Sequence, residues 1–259
     1  MARIVITGST RGLGYALAHE FLRVGDVVTI SGSHEKRLAD AVERLSSFGN
    51  RRQGCLCDVR NPDDIRRLWD TASEQFGGVD LWINNAGINQ PYENLWQITH
   101  NTIHTILSVN LEAAIQGSLV AMNKMLQQGY GAIYNVEGFG SNGMQRKGLN
   151  LYGTTKRALT YFTDALAKEA TDTSIRVGIL SPGMMVTDFL RGSDGTLMGD
   201  KDTEKIFNIL GDKPETVARF LVERLKDNPP NGTHITWLTK KKAVFRFMKS
   251  RFVKRNLFD

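Results

Sequence analysis

The stretch 3-RIVITGSTRGLGYALAHEFLRVG-25 sets the expectation for the whole chain. RIVIT reads as a short strand, TGSTRGLG as a tight turn, and YALAHEFLRVG carries apolar residues at helical spacing. Gly8 can turn sharply, and Gly12 and Gly14 let backbone and helix approach closely. A helix beginning there offers free N–H groups to a pyrophosphate. Strand, glycine turn and helix in that order point to a nucleotide site. Gly8, Ser9, Thr10, Arg11, Gly12, Leu13 and Gly14 are its expected contacts.

Further strands follow outward from this unit: VVTIS at 27–31, QGCLCDV at 53–59, VDLWINNAG at 79–87, GAIYNV at 131–136, IRVGILSPG at 175–183 and THITWL at 233–238. Helical patterns fall between them, including EKRLADAVERL, residues 62–76 and a long region from about 99 to 128. Several strands are almost continuously apolar, as in sheets covered on both faces. The expectation is an α/β fold with a doubly wound, mostly parallel sheet. Ligands in such sheets bind outside the carboxyl ends of the strands. The 259 residues, 41 % apolar, supply one sizeable core, and no Pro/Ser/Gly-rich linker divides them. One domain is expected over 1–239, followed by a basic amphipathic tail at 240–259.

No apolar run is long enough, at about 18 uninterrupted residues, to read as a membrane span. The start, MARIVITGST, runs straight into a strand and resembles neither a signal nor a transit peptide. Cys55 and Cys57 are expected on opposite faces of a strand and reduced, and no metal site is expected. This suits the cytoplasm or another reducing, soluble compartment. The net charge of +6 is uneven: residues 240–259 hold eight bases and one acid, a tail of +7 on a body of −1. A nucleic-acid-binding body carries its positive field more broadly, so no nucleic-acid partner is expected. In the tail, Phe245, Met248 and Phe252 recur at helical spacing beside Val244. That pattern suits peripheral contact with an anionic membrane, docking on a neighbouring subunit, or a cover over the substrate pocket.

Cofactor choice is read at the end of the second strand. No acid stands at the strand's own end to hold a free ribose. Arg11, Lys36 and Arg37 are instead placed to meet a 2′-phosphate, with Ser31 and Ser33 beside them. NADPH/NADP is therefore expected over NAD. Asp58 and Val59 would border the adenine, and Asn85, Ala86 and Gly87 the rest of the cofactor. Downstream, Tyr152 and Lys156 lie four apart on one helix face. A nearby ammonium favours the phenolate, and the pair suits acid/base chemistry at a carbonyl or alcohol.

These motifs together resemble the short-chain dehydrogenase/reductase family over residues 2–240: TGSTRGLG, CDV, NNAG, the asparagine of SVN at Asn110, YGTTK and SPGMMVTD. The resemblance implies a Rossmann fold and hydride transfer on NAD(P) without a metal. It implies Tyr152 as proton donor or acceptor, Lys156 as its partner, and Asn110 extending the proton relay. Ser181, Pro182, Gly183, Met185 and Thr187 would lie along the nicotinamide and its phosphates. Homodimers or homotetramers through the long helices are common in the family.

One departure stands out. After AIYNV the family carries a substrate-orienting serine, and this chain has Glu137-Gly138. Glycine donates nothing, and an ionised Glu137 would repel an oxyanion. Ser141, three residues on, is the candidate replacement donor. The stretch from Asn135 to Ser141, with Tyr152 to Arg157, resembles the chlorophyll b reductase subgroup. That implies reduction of the 7-formyl group of chlorophyll b, a bulky apolar substrate. The alternatives are a reductase or dehydrogenase for another hydrophobic carbonyl or alcohol, and a non-catalytic NADP-binding sensor or scaffold. Residues 188–210, with Phe189, Leu190, Leu197, Met198, Ile206, Phe207 and Leu210, suggest a lid with an apolar inner face. Met144, between Gly143 and Gly148, suggests the opposite rim.

Overall fold

Strand β1 (Arg3–Ile6) is the hinge of the sheet. It pairs in parallel with β2 (Val27–Gly32) through Ile4↔Val28 and Ile6↔Ile30, and with β4 (Leu81–Asn84) through Val5↔Trp82. The computed structural model describes residues 1–186 and 201–258. Among them, β3 (Arg52–Leu56), β5 (Gly131–Val136), β6 (Ile175–Ser181) and β7 (His234–Thr236) complete a parallel sheet of order β3-β2-β1-β4-β5-β6-β7. The winding reverses between β1 and β4, and the glycine turn sits at that reversal.

Both faces are covered, which is why the strands lack polar alternation. On one face, α1 (Gly12–Arg23), α2 (Glu35–Arg44) and α8 (Pro214–Lys226) bury Leu17, Phe21, Leu38, Val217 and Leu221 against Ile4, Ile6 and Ile30. On the other, α3 (Pro62–Phe76), α5 (Ala113–Gln128) and α6 (Asn150–Glu169) set Leu68, Trp69, Ala121, Met125 and Ala167 against Val5, Trp82 and Val177. Local signals start and stop these helices. Asn61 accepts a hydrogen bond from the Asp63 N–H, Pro62 opens α3, and Gly77 at φ 79° ends it.

Two expectations change. Cys55 and Cys57 do not face opposite ways. A strand repeats every second residue, so both fall in the core cluster under α3, buried and free. Burial pushes the Cys57 thiol up to about 12. The long helical region is also interrupted. After α4 (His100–Leu107), residues Ser108–Glu112 form a π turn before α5 begins. By length and composition alone the run His100–Gln128 could cross a membrane. Here its Ala121 and Met125 pack beneath the sheet.

The remaining helices, α7 (Lys201–Leu210) and α9 (Lys240–Lys249), border the carboxyl edge of the sheet. Thr239 caps α9 by accepting from the Lys242 N–H at 3.2 Å.

A buried polar network ties β4, β5, α5 and α6 together. Asn84 Nδ2 donates to Asn135 Oδ1 at 2.8 Å and to Ser118 Oγ at 3.0 Å, while Asn84 Oδ1 accepts from Trp82 Nε1 at 2.8 Å. Asn135 Nδ2 donates to Thr163 Oγ1 at 2.9 Å. Replacing Asn84 with Ala strands the buried Trp82 donor and removes the amide donor from Asn135 Oδ1, Ser118 Oγ and the Ala114 carbonyl. The variant should lose about 1–3 kcal/mol in denaturant unfolding; an unchanged midpoint would show the network contributes nothing.

Candidate active site

The carboxyl ends of β1 and β4 are braced against each other. Thr7 Oγ1 accepts from the Asn85 and Ala86 N–H groups, both at 3.0 Å, and Asn85 Nδ2 donates to the Thr7 and Gly8 carbonyls at 2.9 and 3.0 Å. The brace needs glycine. A Cβ on Gly8 would stand 2.8 Å from the Ala86 Cα, and one on Gly14 would stand 2.5 Å from Asn85 Nδ2. The Arg11 side chain makes no capping hydrogen bond to α1, and the first residues of that helix, Gly12, Leu13 and Gly14, line the cleft. Open backbone donors in a cradle that a Cβ would fill fit a dinucleotide pyrophosphate.

The cleft encloses about 1710 Å³, and Gly8, Thr10, Arg11, Gly12, Leu13 and Gly14 line its nucleotide end. Ser33, Arg37, Asp58 and Val59 are also in its wall, as are Asn85, Ala86 and Gly87. Three of the expected contacts lie elsewhere. The Ser9 hydroxyl donates to the Ile6 carbonyl at 2.7 Å and accepts from the Ser31 N–H at 2.8 Å. Ser31 Oγ also turns to the Ile6 carbonyl, so both serines join strands inside the sheet. Lys36 lies exposed on α2, outside the cleft wall. His34 and Arg60, overlooked in the sequence, do line it. Arg60 follows the CDV motif within two residues, a readable position. Its Nε donates to Asp58 Oδ1 at 3.0 Å, and that guanidinium holds the Asp58 carboxyl below its ordinary range.

Tyr152 and Lys156 enter the same cleft from the first two turns of α6. Lys156 Nζ donates to the Val136 carbonyl at 3.0 Å and lies 5.9 Å from the Tyr152 ring centroid. Burial pushes Lys156 down to about 8, and the Glu137 carboxylate opposes that fall. The ammonium therefore still predominates at neutral pH. Burial raises Tyr152 above its ordinary value. Desolvation is the cause, contrary to the phenolate expected from spacing, and it leaves tyrosine in its proton-donating form.

Asn110 sits in the π turn with 0 % exposure. Its Nδ2 donates to the Ile88 carbonyl at 2.8 Å, and its Oδ1 accepts from the Ile88 N–H at 2.7 Å. A Cβ on Gly87 would stand 3.5 Å from Asn110 Oδ1 and 3.8 Å from Lys156 Nζ, so the three residues converge. Gln90, which no sequence signal marked, accepts from the Tyr152 N–H at 2.7 Å and fixes the start of α6.

The unusual doublet has a structural explanation. A Cβ at Gly138 would stand 2.2 Å from Tyr152 Oη, so a side chain there would displace the phenol from this position. Glu137 does not reach for a ligand. Its Oε1 accepts from Thr160 Oγ1 at 2.7 Å, and its Oε2 accepts from Ser181 Oγ. It joins the end of β5 to β6 and α6. Thr160 lies one turn beyond Lys156, so its presence on the same helix face was legible. Ser141 is buried and lines the cleft, its carbonyl held by Arg157 Nη1 at 2.7 Å. Gly140 meets Gly153 closely, since a Cβ on Gly140 would stand 2.5 Å from the Gly153 Cα. That contact lets the 137–141 turn press against α6.

The other end of the cleft is apolar. Met144, Tyr92, Ile206, Phe207, Leu210 and Phe247 line it. Single ligand pockets usually fall near 300–1,000 Å³, so this cleft has room for a dinucleotide and a second large molecule. Pro182, Gly183 and Met185 also line it. Thr187, and Phe189, Leu190, Leu197 and Met198 of the expected lid, lie outside the described residues.

A family model described as short chain dehydrogenase matches residues 2–196. The chain is 34 % identical to a probable chlorophyll(ide) b reductase of Oryza sativa subsp. japonica, named as chloroplastic, over 99 % of this chain and 53 % of that protein. It is 36 % identical to a chloroplastic chlorophyll(ide) b reductase of Arabidopsis thaliana, over 93 % of this chain and 71 % of that one. The chain thus spans about half the length of the rice relative. The crystal structure of a short chain dehydrogenase from Burkholderia cenocepacia J2315 in complex with NADP has a TM-score of 0.79 at 27 % identity. The match covers 91 % of this chain and 95 % of that one.

The Glu137 charge supports a pH prediction. In the free protein, activity that needs protonated Lys156 should fall as pH rises through about 8. Glu137→Gln removes the carboxylate that favours the ammonium, so this alkaline limb should move to lower pH in kcat/KM. An unmoved limb would show that the charge does not reach Lys156.

Proposed function

The chain belongs to the short chain dehydrogenase family, and we propose that it uses NADPH to reduce the formyl group of a large apolar substrate, chlorophyll b being the leading candidate. The observation that carries this reading is that Tyr152, Lys156 and Ser141 line the same cleft as the glycine cradle. The names of the rice and Arabidopsis relatives support the pigment, as do the cleft's volume and apolar outer end.

Arg11 and Arg37 line one end of the cleft, and Arg60 stands there paired with Asp58. Guanidinium groups suit a 2′-phosphate, and the Burkholderia cenocepacia structure carries NADP. These features favour NADPH over NADH.

In this reading the bound dinucleotide supplies the hydride that arrives at the carbonyl carbon. Tyr152, kept protonated by its burial, donates its Oη proton to the carbonyl oxygen as charge develops there. Lys156, charged at neutral pH, stabilises the resulting phenolate until the proton is restored from solvent. From the π turn, Asn110 holds the Ile88 backbone near Lys156, where a proton path can run. Ser141 takes the orienting role that Gly138 cannot fill, donating its hydroxyl to the same carbonyl oxygen. Exposed Leu119 and Leu126 on α5 and Tyr161 on α6 suit a homo-oligomer formed through these helices.

The test supplies NADPH and NADH separately with a panel of aldehydes and ketones that includes chlorophyll b. NADPH should be consumed preferentially, and the pigment should gain a hydroxymethyl group. Tyr152→Phe should lower turnover at least ~100-fold while NADPH binding stays within about twofold. Undiminished turnover in that variant would overturn the proton-donor role. NADPH bound but consumed on no member would favour a nucleotide-binding sensor.

A further inference from the structure

Helix α9 has two faces with different tasks. At about 3.6 residues per turn, Lys242, Ala243, Arg246 and Phe247 share its inner side. Arg246 Nη1 donates to the Leu210 carbonyl at 2.7 Å, and its Nη2 to Asp212 Oδ1 at 3.0 Å. Arg255 Nη2 reaches the same Asp212 oxygen at 3.1 Å and the Gly211 carbonyl at 3.0 Å. Asp212 is buried, and both guanidiniums fasten the tail to it. Lys242 lies over the Trp237 ring. Ala243 and Phe247 line the apolar end of the cleft.

The outer side is unlike this. Val244, Phe245 and Met248 form one stripe and are 58, 59 and 56 % exposed, and beyond the helix Phe252 is 88 % exposed. Lys241, Lys249, Arg251 and Lys254 are exposed around them. Among the described residues none of these four cations pairs with an acid, whereas the inner arginines are both satisfied. A subunit interface would be expected to bring acids to such a face, and the body of the chain is close to neutral. A surface carrying many fixed negative charges over an apolar layer satisfies both the bases and the stripe.

We propose that the outer face of α9 and the turn after it dock on an anionic lipid surface. Docking holds the apolar mouth of the cleft against the bilayer. Phe245, Met248 and Phe252 enter the acyl boundary, and Lys241, Lys249, Arg251 and Lys254 meet the headgroups. Because Phe247, 47 % exposed, flanks the lipid-facing stripe and Ala243 lies behind it, no more than about one helix diameter, ~10 Å, separates lipid from cleft. A lipid-dissolved substrate would then pass from bilayer to cleft without crossing water. Lipid docking does not depend on the reductase reading; the passage of substrate does.

The experiment is co-sedimentation of the full chain with phosphatidylcholine vesicles, alone or with about 30 % phosphatidylglycerol, at low and high salt. The chain should pellet with the anionic vesicles only, and less at high salt. Lys249→Glu with Arg251→Glu, and separately Phe245→Ser with Met248→Ser, should each lower partitioning at least about tenfold. None of these four lines the cleft, so turnover of a water-soluble aldehyde should stay at the wild-type rate. Equal pelleting of wild type and both variants would overturn the proposal. So would a wild type left in the supernatant, including one whose self-association is abolished by Phe245→Ser with Met248→Ser, which would assign the face to a second copy. If the water-soluble aldehyde is turned over, reduction of a vesicle-borne carbonyl should fall in both variants. If neither that aldehyde nor the vesicle-borne carbonyl is turned over, the reductase reading fails, and pelleting still decides lipid docking.

Discussion

The candidate site depends on one carboxylate. Glu137 leaves the end of β5 and accepts hydrogen bonds from Thr160 on α6 and Ser181 at the end of β6. Those two hydroxyls, which line the cleft with Glu137, occupy both of its carboxylate oxygens. The same charge favours the Lys156 ammonium against its burial. Through Lys156, held to the Val136 carbonyl, the tie fixes the face of α6 that carries Tyr152. Gly138 is the necessary neighbour, since Tyr152 Oη occupies the space a side chain would take. The doublet that departs from the family pattern is therefore a consistent local solution. It gives up a serine donor and braces the lysine, and in the proposed function the donor's role passes to Ser141.

Much of this was legible in the sequence because it rests on local rules. Strand, glycine turn and helix at residues 3–25 predicted the β1–α1 unit, and the apolar strands predicted a sheet covered on both faces. The features that escaped depend on distant contacts. The π turn at Asn110 interrupts a helix whose apolar pattern runs on without a break, and that asparagine is bonded to Ile88 and Thr155, 22 and 45 positions away. Gln90 binds Tyr152 across 62 positions. Ser9 and Ser31 look like phosphate contacts in a motif, yet each turns to the Ile6 carbonyl inside the sheet. The placing of Cys55 and Cys57 failed for a simpler reason, since a two-residue spacing on a strand keeps one face.

The tail connects the site to its surroundings. Its charge alone left membrane contact and packing on the core both open. The two faces of α9 reconcile them, because Arg246 and Arg255 fasten the inner side to Asp212 while the outer bases stay exposed. Under both proposals a soluble cofactor meets the end of the cleft that holds Arg11 and Arg37, and a lipid-soluble carbonyl meets Ala243 and Phe247 under α9.

In the proposed function this altered site still transfers hydride. The direct measurement is a single turnover with NADPH deuterated at its transferable position and a formyl substrate. Deuterium should appear on the carbon of the new hydroxymethyl group. Bound NADPH that retains all of its deuterium, with every formyl substrate offered, would contradict it.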